Sequence, residues 1–164
     1  MKNLYLLRHA KSSWASPGMK DFDRPLNQRG LADAPEMAAR LKQRGGTVDH
    51  IVTSPALRTL TTARLVCTTL GLDRSIIHED RRIYLAGSSS LMHLLSLLDE
   101  SVDSAMLVAH NPALTDLAND IARAGIDNLP TAGLVHIELP VEHWFEIGVG
   151  VGRVVTFDYP KHND

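Results

Sequence analysis

The chain opens on a short apolar run, Leu4-Tyr5-Leu6-Leu7, that stops at Arg8-His9-Ala10. A run of this length bounded by polar residues predicts a strand buried on both faces, the condition met inside a parallel sheet. A strand of that kind commits the chain to helices above and below the sheet. Ligands of open α/β sheets lie beyond the carboxyl ends of such strands. The sequence therefore sets a fixed cation and an imidazole where a binding crevice is expected.

The same pattern recurs further on. Ser104-Ala105-Met106-Leu107-Val108-Ala109 predicts a second buried strand, ending at His110-Asn111-Pro112. A shorter strand, Asp49 to Thr53, runs directly into Ser54-Pro55. Serine as N-cap with proline in the first helical position predicts a helix from Pro55 to about Leu70, with Leu57, Leu60, Ala63 and Cys67 along one face. Asn111 and Pro112 predict the same start for a helix carrying Leu114, Leu117, Ala118 and Ile121. Two further helices are expected. One runs over Gln28 to Arg44, with regular geometry from about Asp33 because Pro35 disturbs its first turns; the other follows a cap at Ser88 or Ser89. Ser75 to His78, Leu134 to Leu139 and Val151 to Tyr159 read as extended. Strands alternating with helices predict one three-layer α/β/α sandwich over 1–164, with a mostly parallel sheet and an antiparallel edge from the last two strands.

Composition narrows the function classes. The net charge of −2 gives no global bias toward nucleic acid or anionic membranes, so any anion site must be a local cluster. Cys67 is the only cysteine, which excludes intramolecular disulfides and multi-cysteine metal sites, and its apolar-periodic setting predicts core packing. No signal-type segment and no apolar run of about 18 residues is evident, so a soluble, cytoplasmic protein is expected. Gly148-Val149-Gly150-Val151-Gly152 lacks the strand-then-helix setting of a dinucleotide loop and is expected to be a bend.

The chemistry gathers at three strand-to-helix junctions: Arg8-His9, Ser54-Pro55 with Arg58 one turn on, and His110-Asn111-Pro112. In a parallel sheet all three fall on one edge, where helix starts add unpaired N–H groups and the positive ends of dipoles. Two arginines and two histidines there make an anion pocket, and phosphate suits the guanidinium fork. The polar stretch Lys11 to Asn27 lies beside this edge and is long enough to serve it.

Leu7-Arg8-His9-Ala10, Ser54-Pro55-Ala56-Leu57-Arg58-Thr59 with Thr62, and Ala109-His110-Asn111-Pro112 resemble the motifs of the histidine phosphatase superfamily, the phosphoglycerate-mutase-like fold. The short chain, Asp21-Phe22-Asp23-Arg24-Pro25-Leu26-Asn27-Gln28-Arg29-Gly30 and Pro130-Thr131-Ala132 resemble its small SixA-like phosphohistidine phosphatase branch. The resemblance implies His9 as nucleophile, forming a covalent phosphohistidine. It also implies Arg8 and Arg58 as phosphoryl clamps, His110 as a donor to the phosphate, and Ser12 as a pocket residue. Asn27 stands where many members carry a pocket-lining threonine, and reads here as a helix N-cap. No metal or cofactor is implied. Ala10 replaces the glycine common after the histidine, and its small side chain still permits close approach.

A general acid is not evident. Glu79 and Asp80 lie in the region where larger members carry one, and both read as surface charge. Without an acid, phosphohistidine is the favoured substrate, because its P–N bond breaks once the imidazole is protonated, whereas alkyl phosphates need a proton delivered to the departing oxygen. The expected function is a metal-independent phosphatase acting on phosphohistidine in a partner protein. The alternatives are a phosphatase of small phosphomonoesters and a non-catalytic phosphate- or phosphoprotein-binding module.

Overall fold

A computed structural model describes residues 1–14 and 16–160. Ala15 and residues 161–164, the last four of the expected domain, lie outside the described residues. The strands are β1 (Lys2–Arg8), β2 (His50–Thr53), β3 (Ile77–Glu79), β4 (Ser104–Ala109), β5 (Leu134–Leu139) and β6 (Arg153–Asp158). They form one sheet in the order β3-β2-β4-β1-β5-β6. β1 pairs parallel with β4, and β2 pairs parallel with both β4 and β3. β5 and β6 add the antiparallel edge. The first strand is thus at the boundary, parallel to one neighbour and antiparallel to the other.

Strict alternation along the central strands builds two cores. Leu4 and Leu6 of β1 join Ala105, Leu107 and Ala109 of β4 on one face, under α3 (Ser88–Ser96) and α4 (Ala113–Ala122). Tyr5 and Leu7 join Met106 and Val108 on the other, under α1 (Gln28–Gln43) and α2 (Leu57–Thr69). Each fully buried leucine contributes roughly 1.5–3 kcal/mol relative to exposure. This double coverage is the reason the strands carry unbroken apolar runs. Cys67 is buried in the second core, and its thiol donates to the Leu72 and Asp73 carbonyls.

Helix starts depart from the sequence reading. α1 is regular from Gln28 rather than from Asp33, because the Asn27 side chain accepts the Gly30 N–H at 2.9 Å and holds the first turn. Pro35 is accommodated inside the helix. α2 starts at Leu57 after Ala56, two residues beyond the expected Pro55, and its buried face is rotated. Leu57 is 39% exposed, whereas Arg58, Thr59 and Thr62 are buried ahead of Ala63, Val66 and Cys67. α3 is capped by Gly87 and not by a serine, and α4 starts at Ala113 with Pro112 as its cap. Asn111 sits just before, its side-chain oxygen accepting from the Thr115 N–H and hydroxyl. The glycine-rich stretch is a bend: the Gly150 and Gly152 N–H groups donate to the Asp120 and Ile121 carbonyls.

The stretch after β1 is a closed excursion. Its stems pair, Ser12 bridging to Leu26, while the Ser13 N–H donates to Pro25 and the Asn27 N–H to Lys11. The start of α1 lies so close to this stem that a Cβ on Gly30 would fall 2.2 Å from the Lys11 carbonyl oxygen. The excursion is thereby held against the edge where β1, β2 and β4 end.

Candidate active site

Arg8, His9, Arg58, His110 and Ser12, the five expected site residues, line one cleft of about 350 Å³ at that edge, together with Trp14, Asp21 and Arg24. His9 continues β1 by one residue. Its N–H donates to Ala109 of β4 and its carbonyl accepts from Ala132, while the Ala10 N–H is held by the Thr62 hydroxyl on α2. The imidazole is 7% exposed. Its Nδ1 lies 2.8 Å from the Ala10 carbonyl oxygen. A carbonyl can only accept, so Nδ1 carries the hydrogen and Nε2 keeps its lone pair. Burial, then the nearby His110, Arg58 and Arg8, push the His9 pKa down to about 3, which keeps the ring neutral.

The two cations come from two elements. Arg8, at the end of β1, donates from Nη1 to the Leu129 carbonyl at 2.9 Å. Arg58, on the first turn of α2 and 6% exposed, donates from Nη1 to the Asp21 carbonyl at 2.7 Å and from Nη2 to the Asp21 carboxylate at 3.0 Å. The Nε atoms of both arginines are buried and have no hydrogen-bond partner among the described residues. Burial and the charge of Arg58 lower the Arg8 pKa. Two guanidiniums with spare donors, that of Arg58 buried and that of Arg8 half-buried, are suited to an oxyanion.

His110, at the end of β4, has its ring centroid 5.5 Å from that of His9. Its Nδ1 is 3.4 Å from Arg58 Nη2, a group that can only donate, so Nε2 is the protonated nitrogen and donates to the Ser54 hydroxyl at 2.9 Å. Burial and the two arginines bring its pKa down to about 4. Ser54 is thus a partner of His110 rather than the cap of α2, although its hydroxyl also accepts the Ala56 N–H. Ser12 lines the cleft with its hydroxyl engaged by Arg24.

The excursion adds groups that helical and strand periodicity does not mark. The Asp21 carboxylate accepts from Tyr84 at 2.6 Å, Arg24 at 3.0 Å and Arg58 at 3.0 Å. The Tyr84 hydroxyl, then Arg24 and Arg58, hold this carboxyl well below the usual range, and the same contact raises the Tyr84 pKa. Asp21 is therefore an acceptor that orients Arg58 and not a proton donor. Glu79 is exposed at the end of β3, and Asp80 is tied to Arg82 at 2.7 Å. Neither lines the cleft. His93 is exposed, His136 stacks on Tyr5, and His143 pairs with Glu100.

The sequence pattern of the histidine phosphatase superfamily (branch 1) matches residues 4–82. The SixA protein of Agrobacterium tumefaciens, assigned as a phosphohistidine phosphatase, is 31% identical and superposes with a TM-score of 0.82 over 98% of this chain and 99% of that one. This chain belongs to the histidine phosphatase superfamily, in its SixA-like branch. An uncharacterised protein of Mycobacterium tuberculosis is 27% identical over 94% of this chain and its own full length. A tungstate complex of the protein histidine phosphatase SixA shares the fold, with a TM-score of 0.76 at 21% identity over 96% of each chain. The matched segment contains Arg8, His9, Ser12 and Arg58. His110 lies beyond it, and the superfamily fold brings it to the cleft through β4.

The cleft brings together a neutral imidazole with a free lone pair, two guanidiniums and a second imidazole. Among the described residues no helix is long and apolar enough to cross a membrane.

Proposed function

We propose that this single histidine phosphatase domain removes phosphoryl groups from phosphohistidine on a partner protein in the cytoplasm, with His9 as the nucleophile. The observation that carries the reading is the His9 ring, buried at a cleft that Arg8 and Arg58 also line, with Nδ1 bonded to the Ala10 carbonyl so that Nε2 is unprotonated. His9 Nε2 attacks phosphorus. Arg8 and Arg58 hold the equatorial oxygens as charge shifts during transfer; His110 lines the same cleft, with its Nε2–H engaged by Ser54 and its Nδ1 beside Arg58, and Ser12 lies at the margin. The P–N bond of the substrate breaks with its electron pair returning to the leaving imidazole. Water then attacks phospho-His9 and releases orthophosphate, restoring neutral His9.

The choice of phosphohistidine over alkyl phosphates is supported by the carboxylates near the cleft. Asp21 is held ionised by three donors, and Glu79 and Asp80 do not line the cleft, so among the described residues no carboxylic acid is placed to protonate a departing alkoxide. The 31% identical Agrobacterium protein, assigned to the same substrate class, adds support.

Acid-labile, base-stable labelling of the enzyme tests the reading. Incubation with a phosphohistidine-bearing protein followed by quenching in base traps a phosphoenzyme in the wild type and none in His9→Ala. Full labelling of His9→Ala removes His9 as nucleophile. Tight orthophosphate binding without turnover makes the chain a binding module, and a higher kcat/KM for sugar phosphates than for phosphohistidine makes it a phosphomonoester phosphatase.

A further inference from the structure

Trp14 lines the cleft yet is 77% exposed. The other tryptophan, Trp144, shows the usual arrangement, 1% exposed with its indole N–H donating to the Val102 carbonyl. Trp14 is not loose. The Arg24 guanidinium lies over its ring, 3.2 Å from the centroid. Arg24 is itself buried and anchored, donating to the Ser13 carbonyl at 3.2 Å, to Asp21 at 3.0 Å and to the Ser12 hydroxyl. The indole is therefore backed on one side by a fixed cation whose charge is balanced by Asp21. It contributes wall to a pocket whose floor is polar. A large aromatic residue left open at the wall of a polar pocket marks a contact site.

The reaction geometry says what that contact is. In-line attack by His9 Nε2 sends the leaving group to the side of phosphorus away from His9, and Trp14 is the exposed aromatic wall of the same cleft. A phosphohistidine leaving group is a flat aromatic ring. In its reactive form it is protonated on the nitrogen that does not carry phosphorus, so it is also cationic. An indole face attracts such a ring by stacking and by cation–π interaction. A sugar or glycerol leaving group gains neither.

We propose that Trp14 is the stacking platform for the leaving imidazole and so determines specificity for phosphohistidine, an inference that rests on the function proposed above. The ring is backed by Arg24 before the substrate arrives, so little ordering remains to be done on binding. When the P–N bond breaks, the electron pair returns to the ring nitrogen, the proton on the other nitrogen stays, and a neutral imidazole leaves a face that holds it less strongly than its cation.

The test compares a phosphohistidine-bearing peptide with phosphoramidate, which has the same P–N bond and no ring. The measured quantity is the ratio of their kcat/KM values in the wild type, Trp14→Phe and Trp14→Ala. Stacking contacts of this kind lead us to expect the ratio to fall about ten-fold in Trp14→Ala and to be largely kept in Trp14→Phe. Parallel loss on both substrates, with the ratio unchanged, would mean that Trp14 only supports Arg24 and Ser12, and overturns the proposal. An unchanged ratio with unchanged rates overturns it as well. Failure of the wild type to turn over the phosphohistidine-bearing peptide removes the underlying phosphatase reading together with the platform, whereas an unchanged ratio in an active enzyme removes the platform alone.

Discussion

The neutral state of His9 has a thermodynamic signature that can be read without substrate. Its folded pKa is about 3, against 6.5 for an unperturbed histidine. The unfolded chain takes up the proton first as pH falls, so the folded state loses relative stability below pH 6.5 and goes on losing it until about pH 3. Between pH 7 and pH 5 that loss is about 2 kcal/mol from this one residue. His9→Gln keeps a side chain of similar length and removes the titration. Urea unfolding of both proteins at pH 7 and pH 5 gives four stabilities, and the difference of differences isolates His9, because most other groups titrate alike in both. The wild type is expected to lose about 2 kcal/mol more than the variant over this interval. An excess below about 0.5 kcal/mol would mean that His9 titrates near its ordinary value. The buried, neutral nucleophile would then be wrong.

The remaining predictions concern the clamp and its support. Orthophosphate is expected to raise the Tm of the wild type, by the equivalent of about 2.7 kcal/mol at a hundred times its Kd. Arg58→Ala is expected to abolish that shift and to lower kcat/KM by about 10²–10³-fold, as loss of a charge-stabilising donor does; calorimetry and steady-state assays check both. Gly30→Ala drives a Cβ to within 2.2 Å of the Lys11 carbonyl oxygen, so urea unfolding should show a loss of about 1–3 kcal/mol.

The strands and the three junctions are legible in the sequence because burial on both faces forbids polar residues until the strand ends. The change from apolar to Arg8-His9 and from Ala109 to His110 is that boundary. Helix starts are less legible. Ser54-Pro55 carries the chemistry of a cap, but the Ser54 hydroxyl is engaged by His110, and α2 starts two residues later. Periodicity also assigned the wrong face to the first turn of α2. Arg58, Thr59 and Thr62 turn inward because the cleft and the end of β1 need them there, and Leu57 is left outside. Asp21 and Tyr84 stand 63 residues apart, so no local pattern could pair them. The one available signal for Asp21 and Arg24 was their place in the SixA-like stretch, which carried a resemblance without a role.

The site's location follows from how the connections leave the sheet. β1 and β2 pass into α1 and α2 on one face, whereas β4, lying between them, passes into α4 on the other. Connections that diverge from adjacent parallel strands open a crevice at their carboxyl ends, and this crevice falls between β1 and β4. His9 and His110 directly follow the last paired residues of those two strands, Arg8 and Ala109, so the approach of their rings to 5.5 Å is a consequence of parallel pairing. Arg58 arrives from the helix after β2, one strand further over. The antiparallel strands β5 and β6 contribute no ring or guanidinium to this edge; the segment just before β5 fixes the His9 backbone through Ala132. Pairing direction thus separates the two duties of the sheet. The parallel side concentrates charge that is costly to bury, with two guanidinium Nε atoms unpartnered among the described residues, while the antiparallel side and the two apolar cores supply the stability that tolerates it.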